Sequence, residues 1–232
     1  LSIMIIFYAT EIDGDLAKLT DDEATHCGKV LRKRVGDIVF VTDGKGSLYE
    51  GAIADLGKKE VIINQLTLKE EQQRGHQRAI AIAPTKSNDR IEWFLEKATE
   101  IGITDIYPIL THQSERKVIK APRWEKIIVS AMKQSMNLHK PILHEMQKLG
   151  DFINSLPSEP KCFIAHCMDP EKALQKVYVS GSDALVLIGP EGDFTEEEVA
   201  LTRNHGFDEI SLGNSRLRTE TAGIVACHLL NL

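Results

Sequence analysis

The chain has no run of apolar residues approaching about 20, the length a helix needs to cross a bilayer, so no membrane-spanning helix is expected. Its apolar start, Leu1 to Phe7, is short and lacks the basic leader of a signal peptide. Leu1 is not an initiator, and Met4 is expected as the natural start. Cysteine is scarce: Cys27, Cys162, Cys167 and Cys227 form no CxxC pair. That argues against a disulfide framework and points to reduced thiols in a cytoplasmic protein. Cys162, His166 and Cys167 lack partners at zinc-like spacing, so no metal is expected. There is no excess of positive charge. Lys and Arg number 28 and Asp and Glu 34, for a net charge of −6. A nucleic-acid binder held by bulk charge is thereby excluded, though a local basic face is not. No glycine fingerprint follows the strand around Ala79–Ala83, where Pro84-Thr85-Lys86-Ser87-Asn88 stands instead, which argues against a dinucleotide fold. Gly44-Lys45-Gly46 is not followed by the rest of a phosphate loop and reads as a hairpin turn. Repeats and low-complexity tracts are absent too.

What is present is ordinary globular material, 42% hydrophobic and 27% charged. The charge is unevenly placed. Residues 1–70 carry 9 basic and 12 acidic side chains, residues 71–140 carry 12 and 8, and residues 141–232 carry 7 and 14. Arg116, Lys117, Lys120, Arg123, Lys126, Lys133 and Lys140 are interrupted by one acid, Glu125. Such a run suits a solvated helix face or a phosphate-contacting patch.

The first 70 residues read as short strands joined by tight turns, which suggests a small barrel. Strands are predicted at 5–9, 37–42, 47–54 and 60–68, with Asp43-Gly44 as a hairpin turn. Thr20-Asp21-Asp22-Glu23 predicts a capping box opening a short helix that buries Ala24, Cys27, Val30 and Leu31. A boundary falls in the polar stretch 69–77, giving domains 1–72 and 73–232. Beyond it, strands are predicted at 79–83, 105–110, 142–144, 162–166, 184–188 and 209–212, with Pro108 near the end of its strand. Between them Ser87 caps a helix carrying Ile91, Phe94, Leu95, Ala98 and Ile101 and stopped by Gly102. Pro122 suits the first position of another, with Trp124, Ile127, Ile128, Ala131 and Ser135 on one face. Alternating strands and helices imply an α/β domain with a mainly parallel sheet.

Two segments carry chemistry. A buried strand, Leu185 to Ile188, runs into Gly189-Pro190-Glu191-Gly192, after which Thr195 and Glu198 form a capping box. A second strand runs into Leu212-Gly213-Asn214-Ser215-Arg216-Leu217, and a helix then opens on Arg218-Thr219-Glu220-Thr221 with Gly223 among small residues. Ligands of open α/β sheets bind beyond the carboxyl ends of strands, and glycines there let backbone approach a ligand closely. Either segment alone would also suit a plain turn, and small residues would also suit close helix packing.

Taken together, these segments resemble the SPOUT class of methyltransferases, and within it the RsmE-type 16S rRNA (uracil-N3) methyltransferases. The resemblance spans nearly the whole chain. His26 to Arg32, Gly36-Asp37 and Asp43-Gly44 match the N-terminal part; Lys86, Arg90, Glu92, Glu96 to Gly102, and Gln134-Ser135 match the centre. The chain departs from the pattern in three places: at Asp193, where glycine is more usual; at Ser215-Arg216, where an arginine has moved by one place; and at Asn137-Leu138-His139, where an arginine is common.

The resemblance implies a PUA-like β-barrel over 1–72 that binds RNA and a trefoil-knotted α/β methyltransferase domain over 73–232. It implies S-adenosylmethionine held in a bent shape by Ile188, Gly189, Pro190, Glu191, Gly192, Leu212, Gly213, Leu217 and Thr219. Arg218 and Glu220 are the implied catalytic residues, with Arg218 orienting an anionic base or phosphate. The general base stays open, because Glu220 would also serve to cap the helix and balance Arg218. Lys86, Arg90, Arg116, Lys117, Lys120 and Arg123 are the implied RNA contacts. The substrate would be 16S rRNA or the small ribosomal subunit, and the enzyme a cytoplasmic homodimer. The alternative is a SPOUT-fold RNA-binding protein that methylates another RNA position or has a degenerate cofactor pocket.

Overall fold

A computed structural model of the chain describes residues 5–157, 159–168 and 172–232; Met4 lies outside them. The chain divides into two compact units. The first is the chain up to Arg74 together with Met132–Lys140, and the second is Gly75–Ala131 together with Pro141–Leu232.

In the first unit, β1 (Ile6–Tyr8), β2 (Glu11–Asp13), β3 (Leu16–Thr20), β4 (Ile38–Thr42), β5 (Ser47–Leu56) and β6 (Glu60–Glu71) form one sheet in the order β1-β4-β5-β6-β3-β2. Its two edge strands, β1 and β2, are consecutive in the chain. Two intervening residues span at most about 10 Å, so the sheet must curl until its edges nearly meet. The result is barrel-like, although no β1–β2 ladder closes it among the described residues. Phe7, Leu19, Val41, Ile53, Val61 and Ile63 fill the inside of the curl.

Thr20 is the N-cap of α1 (Asp21–Thr25), but the predicted box does not form. The Glu23 carboxylate instead accepts from the Tyr8 N–H at 2.9 Å and pairs with Lys133. The chain then winds through a wider π turn, His26–Val30. The 3.6-residue period fails there, so Ala24 and Cys27 are buried while Val30 points outward, 65% exposed.

The second unit holds β7 (Arg78–Ile82), β8 (Asp105–Leu110), β9 (Ile142–Leu143), β10 (Gln147–Lys148), β11 (Lys161–Ala165), β12 (Ala184–Ile188) and β13 (Asp208–Ile210). The order is β10-β8-β7-β12-β11-β13, with β9 also on β8, and every pairing is parallel. Helices α2 (Asn88–Ile101), α3 (Ala121–Gln134), α4 (Leu149–Ser155), α5 (Leu174–Val177), α6 (Glu196–Asn204) and α7 (Thr219–Leu230) accompany it. Strand alternation sends Ile80, Ile82 and Val186 into one core with Phe94, Trp124 and Leu230. It sends Ala79, Ala81, Leu185 and Leu187 into another with Phe152, Val199 and Phe207. A sheet covered on both faces has strands that read as continuous apolar runs, and β12 is buried throughout.

Pro108 lies inside β8, not near its end. It pairs in register with Ile82 of β7 and, on the other side, falls between the residues that pair with β9 and those that pair with β10. Gly102 closes α2 at φ +103°, as predicted, but Ser87 caps its start without a side-chain bond. Pro122 is the second residue of α3, and Ser135 lies just past its end. Among the described residues, no helix is long and apolar enough to cross a membrane.

Candidate active site

The carboxyl ends of β11, β12 and β13 are neighbours in the sheet, and the loops leaving them enclose a cleft of about 1100 Å³ with the first turn of α7. Eight of the nine residues expected to hold a cofactor line it: Ile188, Gly189, Pro190, Glu191, Leu212, Gly213, Leu217 and Thr219. Gly192 does not. A Cβ there would lie 2.1 Å from the Gln113 side-chain oxygen, so this glycine makes room for a neighbouring loop.

The loop after β12 is held from below. Phe194 is buried beneath it, and a Cβ on Gly189 would come within 3.0 Å of the Phe194 ring. The Thr195–Glu198 capping box forms as predicted, with bonds of 3.0 and 3.2 Å, and fixes the exit into α6. Asp193, where glycine is more usual, takes φ +67°. Asp tolerates this left-handed backbone better than most residues, and its carboxylate makes two bonds a glycine could not. One oxygen accepts from the Phe194 N–H and the other from the Cys167 N–H, both at 2.8 Å.

That second bond fastens the loop after β11, a wall of the cleft that the motifs did not reveal. His166 and Cys167 line it. The His166 Nδ1 accepts from the Met168 N–H at 3.1 Å, so its proton sits on Nε2 and is donated to Glu209 at 3.0 Å. Arg203 donates to the other Glu209 oxygen at 2.6 Å, and this bond leads in holding the carboxyl below its ordinary value. His166 is thus both a satisfied side chain and a cleft residue. Cys162 is buried, donates to the Pro160 carbonyl, and has its thiol pushed up to about 11 by burial. Among the described residues no group of three His, Cys, Asp or Glu could hold a metal.

The loop after β13 turns at Gly213, where φ is +135° and a Cβ would meet nothing within 4 Å. The Ser211 hydroxyl braces that turn from both sides. Asn214, Ser215 and Arg216 also line the cleft, and all three are exposed. Adjacency of β11, β12 and β13 is what brings them together with His166 and Cys167, and strand order is not written in any motif.

Arg218 is the N-cap residue of α7 and lines the cleft; its guanidinium has no hydrogen-bond or ion-pair partner among the described residues. Glu220 does not cap the helix and does not balance Arg218. It is 6% exposed, and its Oε1 lies 3.7 Å from the Arg90 Nε. Its Oε2 is the one buried side-chain nitrogen or oxygen among the described residues with no partner. Leaving such an atom unpaired costs about 1–3 kcal/mol. Arg90, expected on RNA, reaches the cleft from α2.

The rest of the expected RNA contacts are partly spoken for. The Arg116 guanidinium donates to the carbonyls of Thr85 and Lys86 and to Asn88 Oδ1, at 2.8, 2.6 and 2.8 Å. Arg123 forks onto Glu92 at 2.5 and 2.6 Å, and Lys86 pairs with Glu115 at 2.8 Å. The Lys117 and Lys120 side chains are exposed and make no hydrogen bond or ion pair among the described residues; behind the Arg123 fork, the Lys120 charge also helps hold the Glu92 carboxyl below its ordinary value.

Residues 72–231 match the family described as RNA methyltransferase domain, and residues 19–66 match the RNA methyltransferase PUA domain. The chain is 28% identical to the ribosomal RNA small subunit methyltransferase E of Rickettsia conorii, over 90% of this chain and 86% of the relative. A crystal structure of a "probable rRNA-methyltransferase" from Porphyromonas gingivalis superposes with a TM-score of 0.87 at 40% identity, covering 98% of each chain. The ribosomal RNA small subunit methyltransferase E of Neisseria gonorrhoeae, solved bound to S-adenosylmethionine, gives a TM-score of 0.79 at 28% identity. That match covers 97% of this chain and 95% of the other.

Proposed function

Because the chain belongs to the RNA methyltransferase family, we propose that it methylates N3 of a uridine in 16S rRNA, using S-adenosylmethionine. The observation that carries the reading is the cleft at three adjacent strand ends, with Gly213 presenting bare backbone to it. A group with an apolar ring and a polar, cationic tail fits these walls. Ile188, Ile210, Leu212 and Leu217 supply apolar surface, the loop backbones supply donors and acceptors, and Glu191 and Asp193 supply negative charge. S-adenosylmethionine, once bound, supplies an electrophilic methyl group on a sulfonium.

The chain's own residues have three tasks. The cleft loops hold the donor in line with the nucleotide. Arg218, exposed at the head of α7, donates to the uracil oxygens or a phosphate as negative charge develops. A carboxylate takes the N3 proton. N3 lies on the pairing edge of uracil, so the target base must be unpaired or extruded to reach the cleft. The same reading includes RNA contact by the first unit and by Lys86, Arg90, Arg116, Lys117, Lys120 and Arg123. It also includes knotted threading of the second unit, a homodimeric enzyme, and action in the cytoplasm where ribosomes are assembled.

Calorimetry with S-adenosylmethionine and with NAD, followed by methylation assays on naked rRNA, assembled small subunits and free oligonucleotides, tests the reading. Binding of S-adenosylmethionine alone, with 3-methyluridine in digested rRNA, is the expected result. A chain that binds RNA but not the donor would be a binding module instead.

A further inference from the structure

We propose that the groove where the segment after β8 meets β10 is a second RNA subsite. It takes one unpaired base of the strand that flanks the methylated nucleotide, with Lys117 and Lys148 on the phosphates; the inference rests on the rRNA-methyltransferase reading above. The groove is a separate cavity of about 250 Å³. Clefts that bury a whole small-molecule ligand measure roughly 300–1,000 Å³, so this one suits a single ring system and not a second cofactor. Its apolar walls are Leu110 at the end of β8, Val118, Ile119 and Met146, and Lys117 and Lys148 stand among them. Both lysine side chains are exposed and make no hydrogen bond or ion pair among the described residues. Glu115, Glu145 and Asp151, the nearest acids along the chain, do not line the groove, and Glu115 is paired with Lys86.

Residues 117–120 lie outside any helix or strand, yet the segment is pinned at both ends. Before it, the Arg116 guanidinium donates to the Thr85 and Lys86 carbonyls. After it, the Lys120 carbonyl accepts from the Arg123 and Trp124 N–H groups at 2.9 and 3.1 Å. Within it, Ile119 packs against the core that holds Trp124, while Val118 is left 74% exposed at the groove. The location fits the substrate. Every pairing in this sheet is parallel, so the carboxyl ends of β8 and β10 open on the same rim as those of β11, β12 and β13. In the sheet order β8 lies two places from β12, about 10 Å at the usual strand spacing. An RNA whose target base is extruded into the cleft presents unpaired neighbours along that rim. Single strands are held by cations along the backbone and by surfaces laid against the faces of the bases. The two lysines supply the first and the apolar walls the second.

The test measures rRNA affinity against salt for the full-length protein, with S-adenosylmethionine affinity by calorimetry alongside. Lys148→Ala should bind rRNA more weakly, with a slope of log affinity on log salt shallower by about 0.7 units, the single-strand value for one phosphate. Val118→Ser removes apolar contact and no charge. It should weaken rRNA binding about fivefold, the low end of what one stacked base contributes, with the slope unchanged. Both variants should keep the wild-type affinity for S-adenosylmethionine. Wild-type rRNA affinity and slope in either variant overturns the proposal and leaves the functional reading standing. An equal loss of donor affinity overturns it too, because the defect would then lie in the cleft. A change in sedimentation with rRNA binding intact would make the groove a contact between copies of the chain, and the proposal would fall. A wild-type chain that transfers no methyl group to rRNA overturns the functional reading and this inference with it.

Discussion

At the scale of single residues, the glycines that matter differ in what a side chain would meet, and those surroundings could not be read from the sequence. Gly189 was legible as a cleft residue because it ends a buried strand in a turn. Its neighbour below, Phe194, was not. A valine at 189 would press branched carbons toward a ring that a Cβ alone would approach to 3.0 Å, and so push on the loop after β12 that lines the cleft. Gly189→Val should abolish S-adenosylmethionine binding in calorimetry while the melting transition stays cooperative. Wild-type affinity in that variant would place the cofactor elsewhere. Asp193 teaches the converse lesson. It departs from a usual glycine, and a left-handed backbone plus two N–H partners makes it a clasp between the loops after β11 and β12.

At the scale of elements, strands, helices and the Thr195 box followed from local pattern, because burial and capping leave periodic signatures. The Thr20 box failed although its spacing is the same. Glu23 had stronger partners in Tyr8 and Lys133, and Lys133 lies 110 residues away in sequence. The basic run was similarly incomplete as read, since Arg123 meets Glu92 on another helix. Small residues in α7 left two readings open, close packing or ligand approach. Gly223 resolves to packing: a Cβ there would lie 2.6 Å from the Phe94 ring of α2 and 3.3 Å from Ile82 of β7. Replacing a helical glycine by alanine favours the helix by about 1 kcal/mol, but overpacking a tight core costs about 1–3 kcal/mol. Phe94 is fully buried and has no room to yield. Gly223→Ala should therefore lower stability by about 1 kcal/mol in chemical denaturation; a stabilised variant would show that α7 and α2 can part without cost.

At the scale of the whole molecule, a homodimer should sediment at twice the 25.9 kDa chain mass, and only the chain mass at micromolar concentration would count against it. The larger question is how a chain of net charge −6 holds a polyanion. Screening acts over about 8 Å at physiological salt, so a few local cations can outweigh distant acids. Which cations is now a sharper question. Arg116 and Arg123 spend their donors inside the second unit, and removing Arg116 would also loosen the Thr85–Asn88 segment it ties. The Lys117 and Lys120 side chains are exposed and make no hydrogen bond or ion pair among the described residues, so they report on RNA without that side effect. Removing one lysine–phosphate interaction should flatten the dependence of log affinity on log salt by roughly 0.7 to 0.9 units. The double variant Lys117→Ala, Lys120→Ala should thus bind rRNA more weakly, with a slope shallower by about 1.4 to 1.8 units. Its S-adenosylmethionine affinity should not change. In the first unit, Lys29, Arg32, Lys33 and Arg34 lie in and just after the π turn and have no ion-pair partners among the described residues. A wild-type salt slope in the double variant would leave Lys117 and Lys120 as a solvated face. The same measurement on alanine variants of these four would then have to show the weakened, flatter binding.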